Sequence, residues 1–139
     1  MKVRFKKLHR DAKPPIRMTN GAAGYDLTAV SLRQGMGIYR YDTGLAIEVP
    51  KGHVGLLFPR SSSYKTGLLL SNCVGVLDSD YRGSILFVFW DIHYASPPYE
   101  VGDRIGQLII MKIPDIEFVE ADELTDTDRG AGGYGSTGK

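Results

Sequence analysis

The sequence predicts an all-β fold in a single domain. Its 139 residues are about the usual size of one domain, enough to bury one core. Seventeen glycines and seven prolines are spread along the chain, and the apolar residues between them recur with period two rather than with helical spacing. Many short strands joined by frequent turns are typical of a β-sandwich or a β-barrel.

The predicted strands follow one another along the chain. In 45–49 the apolar side chains share one face, and the turn at 50–53 leads into 54–58, which predicts a hairpin. The runs 85–90 and 105–113 are apolar almost without interruption, as in strands that are covered on both faces. We expect these two strands to form the core.

One short helical turn is expected outside the strands. The serines that precede Thr66 are suited to capping a turn over 61–66, and Gly67 is suited to ending it. No amphipathic pattern long enough for a further helix is present, so we expect at most one short helix.

Charge and cysteine content exclude several classes of function. The net charge is +1 with acids and bases interspersed, which predicts neither nucleic-acid binding nor membrane binding. No stretch approaches the roughly 20 apolar residues of a membrane span, and we expect a cytoplasmic protein. The single cysteine, Cys73, excludes an intrachain disulfide, and His9, His53 and His93 lack the spacing of zinc ligands.

The composition changes at Ala121. From there onward the chain consists largely of acids, threonines and glycines, with Leu124 and Tyr134 as the only large apolar residues. Such a segment buries too little surface to offset the entropy lost on ordering, so we expect it to be flexible until a ligand orders it. A disordered solubilising tail explains the composition equally well.

The glycine-rich end of the chain matches two nucleotide-binding patterns. The stretch 130–135 fits G-x-G-x-x-G and 133–139 fits G-x-x-x-x-G-K, but both motifs need a following helix that this sequence does not show. What remains is their shared chemistry, in which glycine backbone N–H groups, hydroxyls and a bidentate cation approach phosphate. The residues that supply it are Arg129, Gly135, Ser136 and Thr137.

Five stretches of the chain, taken together, resemble a known set of motifs. They are 23–27 (AGYDL), 59–62 (PRSS), 75–83 (GVLDSDYRG), 102–108 (GDRIGQL) and 129–138 (RGAGGYGSTG). In this order they resemble the five motifs of the homotrimeric dUTPase family, and they span nearly the whole chain.

The resemblance implies a fold, an assembly and a reaction. It implies a distorted β-barrel or jelly-roll-like domain over 1–120 and a flexible C-terminal arm over 121–139. It also implies a homotrimer with active sites shared between subunits, dependence on Mg²⁺, and hydrolysis of dUTP to dUMP and pyrophosphate. That reaction keeps uracil out of DNA and supplies dUMP for dTMP synthesis.

The resemblance identifies Asp78 as the catalytic base. Attack of water on the α-phosphorus needs a base and groups that neutralise the developing charge. In the family the matching carboxylate orients the water and contacts the 3′-hydroxyl. The alternative is an aspartate that initiates a tight turn, and Asp80 is left with a structural role.

The third motif also implies how the nucleoside is recognised. Tyr81 resembles the aromatic that packs under the deoxyribose and leaves no room for a 2′-hydroxyl, although a tyrosine at a strand start is also an ordinary packing residue. A hairpin from Ser71 to Tyr81 would present backbone groups, including those of Gly75 and Val76, to the uracil edge, with Asn72 adding its amide. Fixed backbone groups reject cytosine because they would be left unpaired.

The remaining motifs imply contacts to the phosphates. Arg60, Ser61 and Ser62 resemble the phosphate-gripping second motif, although a serine here is also an ordinary N-cap. Gln107 is expected near the α-phosphate and the attacking water. Asp26 is expected to meet Mg²⁺ only through water, with a structural hydrogen bond or ion pair as the alternative.

The arm is expected to close the site on a neighbouring subunit, with Tyr134 covering the base. The family usually has phenylalanine where this chain has Tyr134, and the second motif reads Arg-Ser-Ser-Ser rather than Arg-Ser-Gly. The first change preserves stacking on uracil, and the second affects the detailed phosphate contacts of the loop.

Two alternative functions remain open. A dCTP deaminase-like enzyme of the same superfamily would need a glutamate as proton shuttle, and 60–83 contains none. A dUTP-gated regulatory protein would keep the pocket and act by binding another protein, and such a surface leaves no sequence motif.

Overall fold

Ten strands and one turn of 3-10 helix form the structured elements among residues 1–92 and 99–133, which this computed structural model describes. The helical turn is Ser61–Lys65. The strands are β1 (Arg4–Lys7), β2 (Tyr25–Thr28), β3 (Ser31–Gly35), β4 (Ile38–Asp42), β5 (Leu45–Glu48), β6 (His53–Phe58), β7 (Leu68–Leu70), β8 (Gly75–Leu77), β9 (Leu86–Asp91) and β10 (Arg104–Lys112).

The strands form three antiparallel sheets. Two have four strands, in the orders β2-β10-β6-β8 and β3-β4-β9-β7, and the third pairs β1 with β5. Neighbours in a sheet are mostly distant in sequence, so the chain passes repeatedly from one sheet to another. The predicted all-β fold class with one short helix is confirmed.

The predicted hairpin at 45–58 is wrong. A turn does form there, with the His53 N–H donating to the Pro50 carbonyl at 3.0 Å and Gly52 at a φ of 75°. However, β5 pairs with β1, whereas β6 pairs with β10 and β8. The turn therefore carries the chain from one sheet to another, because local turn residues set a reversal but do not choose a strand's partner.

The apolar runs are buried on one face rather than on both. In β9, Phe87 and Phe89 are fully buried, but Trp90 between Phe89 and Asp91 is 48% exposed. In β10, Leu108 is buried and Met111 is half exposed. The prediction of strands covered on both faces is therefore wrong at these positions, since apolar outward residues look the same in sequence as inward ones.

An aromatic cluster fills the centre of the core. Tyr41 packs edge-on against Phe89 and Tyr99, with ring centroids 5.9 and 6.0 Å apart, and its hydroxyl donates to the Tyr99 carbonyl at 3.1 Å. Strand β10 approaches this cluster closely at Gly106, where an added Cβ would lie 2.8 Å from Cδ1 of Phe87. The core thereby fixes the position of β10.

The Tyr41 hydroxyl predicts an alkaline limit to stability. Burial raises the pKa of Tyr41 from 10.0 to about 12. Because the folded pKa lies above the unfolded one, the stabilisation is complete below about pH 10 and is lost as the pH rises towards 12. We expect Tyr41→Phe to lower the unfolding free energy by about 1 kcal/mol at pH 8, where it loses a hydrogen bond.

Urea denaturation of both proteins between pH 8 and pH 12 measures this effect. The difference between wild type and Tyr41→Phe should shrink as the pH rises, whereas Tyr64→Phe, which alters a ring that is 79% exposed, should match wild type throughout. A difference that stays constant with pH would contradict the assignment.

Candidate active site

The first, second and fourth motifs meet at one end of the β2-β10-β6-β8 sheet. Gln107 on β10 lies opposite Asp26 on β2 and opposite Phe58 at the end of β6. Arg60 follows two residues after Phe58 with an extended backbone. The antiparallel register therefore gathers three stretches that are far apart in sequence.

Asp26 is the centre of an ion-pair network at this end. Nη1 of Arg104 donates to its Oδ2 at 2.8 Å, and Nε of Arg60 lies 3.8 Å from the same oxygen. Arg60 also donates from Nη1 to the Arg104 carbonyl at 3.2 Å. One carboxylate thus serves two guanidinium groups, so the network keeps a net positive charge that suits an anion.

Gln107 is held in place beside this network. Its Nε2 donates to the Pro59 carbonyl at 3.1 Å, which uses one of the two amide hydrogens. Its side chain lies against the Cα of Gly24, where an added Cβ would be 3.1 Å from Cδ of Gln107. The glycine of the first motif is therefore required for space, a role that the sequence alone did not reveal.

The second motif opens the predicted helical turn. The turn spans Ser61–Lys65, Thr66 is its C-cap, and Gly67 follows with a φ of 66°. The N-cap is Arg60, which makes no capping hydrogen bond with its side chain, so the alternative of a serine N-cap is wrong. The turn is closed instead by the Thr66 hydroxyl, which donates to the Ser63 carbonyl at 2.5 Å.

Tyr99 underlies this turn and was missed by sequence reasoning. It is 5% exposed, and burial raises the pKa of its hydroxyl against the opposing effects of the Arg60 charge and of Thr66 and Ser62. It has no motif, so only the structure places it beneath the second motif.

The third motif runs along strand β6, from Gly75 opposite Leu57 to Asp78 at the other end. Leu77 pairs with Gly55, and Asp78 follows directly. Strand β6 from Gly55 to Phe58, followed by Pro59 and the extended Arg60, covers about 17 Å at the rise of a strand. Within one chain, Asp78 is therefore separated from Arg60 by most of the length of the sheet.

The Asp78 carboxylate is exposed and unpaired. It makes no hydrogen bond or ion pair with any residue in 1–92 or 99–133. Its backbone carbonyl does close a tight turn, accepting the Tyr81 N–H at 3.2 Å. Asp78 therefore forms the tight turn of the structural alternative and still has a side chain that no described residue engages.

Strand β8 presents an open edge next to this loop. It pairs only with β6 in the described sheet, so one side of its backbone is unused by the ladder. Gly75 is buried close to the amide of Asn72, whose Nδ2 would lie 3.4 Å from a Cβ at Gly75, and Val76 is 61% exposed. This arrangement can offer both backbone and amide groups to a planar polar ligand.

The arm is described only in part. Residues 113–133 contain no strand, and Arg129 is exposed, with its carbonyl accepting the Gly132 N–H at 3.0 Å. The predicted site residues Tyr134, Gly135, Ser136 and Thr137 lie outside the described residues.

The described residues contain neither an acidic metal cage nor a membrane-spanning helix. Among the described residues, no group of three or more His, Cys, Asp or Glu is placed to hold a metal ion. The same part of the chain contains no helix that is long and apolar enough to cross a membrane.

Comparisons with known proteins agree on one family. The family model described as dUTPase matches residues 10–138. The deoxyuridine 5'-triphosphate nucleotidohydrolase of Desulfitobacterium hafniense is 46% identical and covers 99% of this chain and 97% of its own. That of Paramecium bursaria Chlorella virus 1 is 43% identical, with 96% and 95% covered. The Staphylococcus bacteriophage 80alpha dUTPase with dUPNHPP superposes with a TM-score of 0.87 at 26% identity, over 99% of both chains.

Replacing Asp26 with asparagine should destabilise the fold, because Arg60 and Arg104 lose the charge that they share. We expect the free energy of unfolding to fall by about 2 kcal/mol, as for other hydrogen bonds to charged groups. Urea denaturation at neutral pH measures the change. Asp80→Asn, which alters an exposed carboxylate, is the matched control, and equal effects of the two substitutions would contradict the network.

Proposed function

The chain belongs to the dUTPase family, as its five motifs predict, and we propose that it hydrolyses dUTP to dUMP and pyrophosphate. The observation that carries the proposal is the combination of a positively charged Asp26, Arg60 and Arg104 network with an unpaired carboxylate at Asp78. Such an activity would keep uracil out of DNA and provide dUMP for dTMP synthesis.

We assign the base to Asp78. Its carboxylate is engaged by no described residue, so it is available to orient a water molecule and accept its proton. The water oxygen attacks the α-phosphorus, the bond from that phosphorus to the bridging oxygen breaks, and pyrophosphate leaves with the bond electrons.

The phosphates of the substrate bind at the Arg60 and Arg104 end of the site, away from Asp78. Arg60 and Arg104 share a single carboxylate, so the network keeps a net positive charge that attracts the triphosphate. Gln107 keeps one amide hydrogen free after its bond to Pro59, and this hydrogen can donate to an α-phosphate oxygen. The serines of the second motif, Ser61 and Ser62, add hydroxyl donors.

The residues present fit a magnesium ion that the substrate carries. No described cluster of acids forms a cage, and Oδ2 of Asp26 is already bound by arginine. The other oxygen of Asp26 is left to accept a hydrogen bond from a water on the ion. When bound, Mg²⁺ would neutralise phosphate charge and fix the triphosphate conformation.

The third motif recognises the uracil and the deoxyribose of the substrate. The open edge of β8 and the amide of Asn72 face a planar ligand with fixed donors and acceptors, which suits uracil and leaves groups unpaired against cytosine. Tyr81, which is 42% exposed in the loop after β8, supplies a flat ring surface for the deoxyribose.

The separation within one chain supports active sites shared between subunits, as in the homotrimer that the family resemblance implies. The chain between Gly55 and Arg60 covers about 17 Å, and this distance keeps Asp78 away from the phosphate-binding residues of its own subunit. A complete site therefore takes Asp78 from one subunit and Arg60 and Gln107 from another. We assign the arm from 121 onward to closing that site.

Exposed apolar residues before the arm also call for a neighbouring subunit. Ile116 and Phe118 are 62% and 94% exposed, in an acidic segment without strand structure. The edge strand β1 is exposed and basic, with the sequence Arg-Phe-Lys-Lys. Opposite charge and exposed apolar surface on both segments are suited to contact between copies of the chain.

Substrate selectivity tests the proposed reaction. With Mg²⁺ present, we expect pyrophosphate release from dUTP to exceed that from dCTP, dTTP and UTP by at least about 100-fold in kcat/KM. Asp78→Asn should lower kcat by about 10²- to 10⁴-fold while dUTP still binds, and Asp80→Asn should keep turnover near wild type. Equal turnover of UTP or dTTP, or ammonia release from dCTP, would overturn the proposal.

Mixed trimers test the shared site. Asp78→Asn and a chain truncated after Asp128 should each be inactive alone while sedimenting as trimers. Refolded together in equal amounts, they should recover activity in roughly a quarter of the sites, since base and arm come from different subunits. No recovery, with both variants folded and mixed, would place base and arm in the same subunit, and a monomer in sedimentation would remove the shared site altogether.

A further inference from the structure

We propose that Arg82 and Gly83 are positioning residues that hold the Tyr81 ring in place and thereby set the preference for deoxyribose over ribose. The inference rests on the function proposed above and deepens it. Neither residue is assigned a contact with the substrate.

Gly83 provides the space in which the Tyr81 ring lies. A Cβ added at Gly83 would be 2.6 Å from Cζ and 3.0 Å from Cε2 of Tyr81. The ring is folded back over the loop, and its hydroxyl donates to the Ser84 carbonyl at 3.0 Å. The φ of Gly83 is not positive, so a glycine is required here for space and not for its backbone conformation.

An alanine at Gly83 would displace the Tyr81 ring. The atoms that an alanine would meet belong to the far end of a side chain, and that side chain is 42% exposed. The ring can therefore swing outward at little cost in stability, whereas the backbone stays in place. Gly83→Ala should displace the ring without unfolding the loop.

Arg82 fixes the backbone that carries the ring. Its Nη1 donates to the carbonyls of Ser79 and Tyr81, both at 2.8 Å. These bonds are charge-assisted and hold the carbonyl groups on either side of Asp80 in one orientation. The Tyr81 N–H closes the same turn on the carbonyl of Asp78.

The Arg82 side chain is itself anchored outside the loop. Its Nη2 lies 3.9 Å from Oε1 of Glu48 on β5, and Nη2 of Arg4 binds the same oxygen at 2.5 Å. The hydrogen bond from Arg4, together with the charges of Arg4 and Arg82, holds the pKa of Glu48 below its ordinary value. Glu48 therefore stays ionised at neutral pH and attracts the Arg82 guanidinium.

The other end of the loop is tied to β4. The Ser84 hydroxyl donates to Oδ1 of Asp42, and that oxygen also accepts the Gly44 N–H at 2.7 Å. The Tyr81 ring therefore rests on a frame that is fixed on both sides. A ring held this closely can exclude one additional hydroxyl on the sugar, whereas a ring that moves by about 1 Å cannot.

The ratio of kcat/KM for dUTP over UTP tests the proposal. Gly83→Ala and Arg82→Met should lower this ratio by about tenfold, mainly by improving turnover of UTP, with melting temperatures close to wild type. Gly21→Ala and Arg10→Met are matched controls, because a Cβ at Gly21 meets nothing within 4 Å and the Arg10 side chain is 90% exposed. Their ratios should not change.

Tyr81→Phe and a double-mutant cycle keep the test decisive if Gly83→Ala folds poorly. Tyr81→Phe adds no atoms and removes only the bond to Ser84, so its ratio should fall in the same direction. In a Tyr81→Ala background, Gly83→Ala should have no further effect on the ratio, because it acts through the ring. An additive effect would overturn the positioning role.

The outcomes separate this inference from the proposed function. If wild type does not hydrolyse dUTP, the proposed function fails and the positioning role fails with it. If wild type prefers dUTP, but Tyr81→Phe, Gly83→Ala and Arg82→Met keep the wild-type ratio, only the positioning role is overturned.

Discussion

Strand β10 pairs with β2 on one side and with β6 on the other, and this double pairing is the constraint on which the site depends. It places Gln107 opposite both Asp26 and Phe58. A slip of one residue on either side would turn the side chain of Gln107 to the opposite face of the sheet. A register shift between Arg104 and Gly106 interrupts the pairing with β2 just before Gln107, and Arg104 reaches Asp26 from that irregularity. Packing of Gly106 against Phe87 ties the register to the core.

The same sheet that gathers the residues proposed to bind phosphate also separates them from Asp78, the proposed base. Strand β6 leads to Arg60 at one end and lies beside the Asp78 loop at the other. A stiff sheet cannot fold its two ends together, so assembly of several chains is required for the proposed chemistry and is more than a source of stability. The exposed apolar residues at 113–119 are consistent with this requirement, because a single chain leaves them uncovered.

Sequence reasoning succeeded where the signal is local and failed where it is not. The turn over 61–66 and its end at Gly67 were predicted, although the serine cap that suggested the turn does not form and the Thr66 hydroxyl closes the turn instead. The pairing of β5 with β1 rather than with β6 was not predicted. An apolar pattern of period two shows which residues share a face of a strand, but not which strand lies alongside. For the site, the family resemblance supplied Asp26, but its double ion pair and the space made by Gly24 depend on contacts between strands distant in sequence.

In the proposed trimer the substrate itself joins the two halves of the site. The β8 edge and Tyr81 hold the nucleoside, while Arg60, Arg104 and Gln107 of another subunit hold the phosphates. Before cleavage, dUTP gains from both sets of contacts at once, as two linked ligands do. After cleavage, dUMP keeps the nucleoside contacts and pyrophosphate keeps contacts to the charged network, so each product is bound by fewer groups than the substrate was. Because cleavage separates the nucleoside contacts from the phosphate contacts, it favours release of both products once the α-phosphate bond is broken.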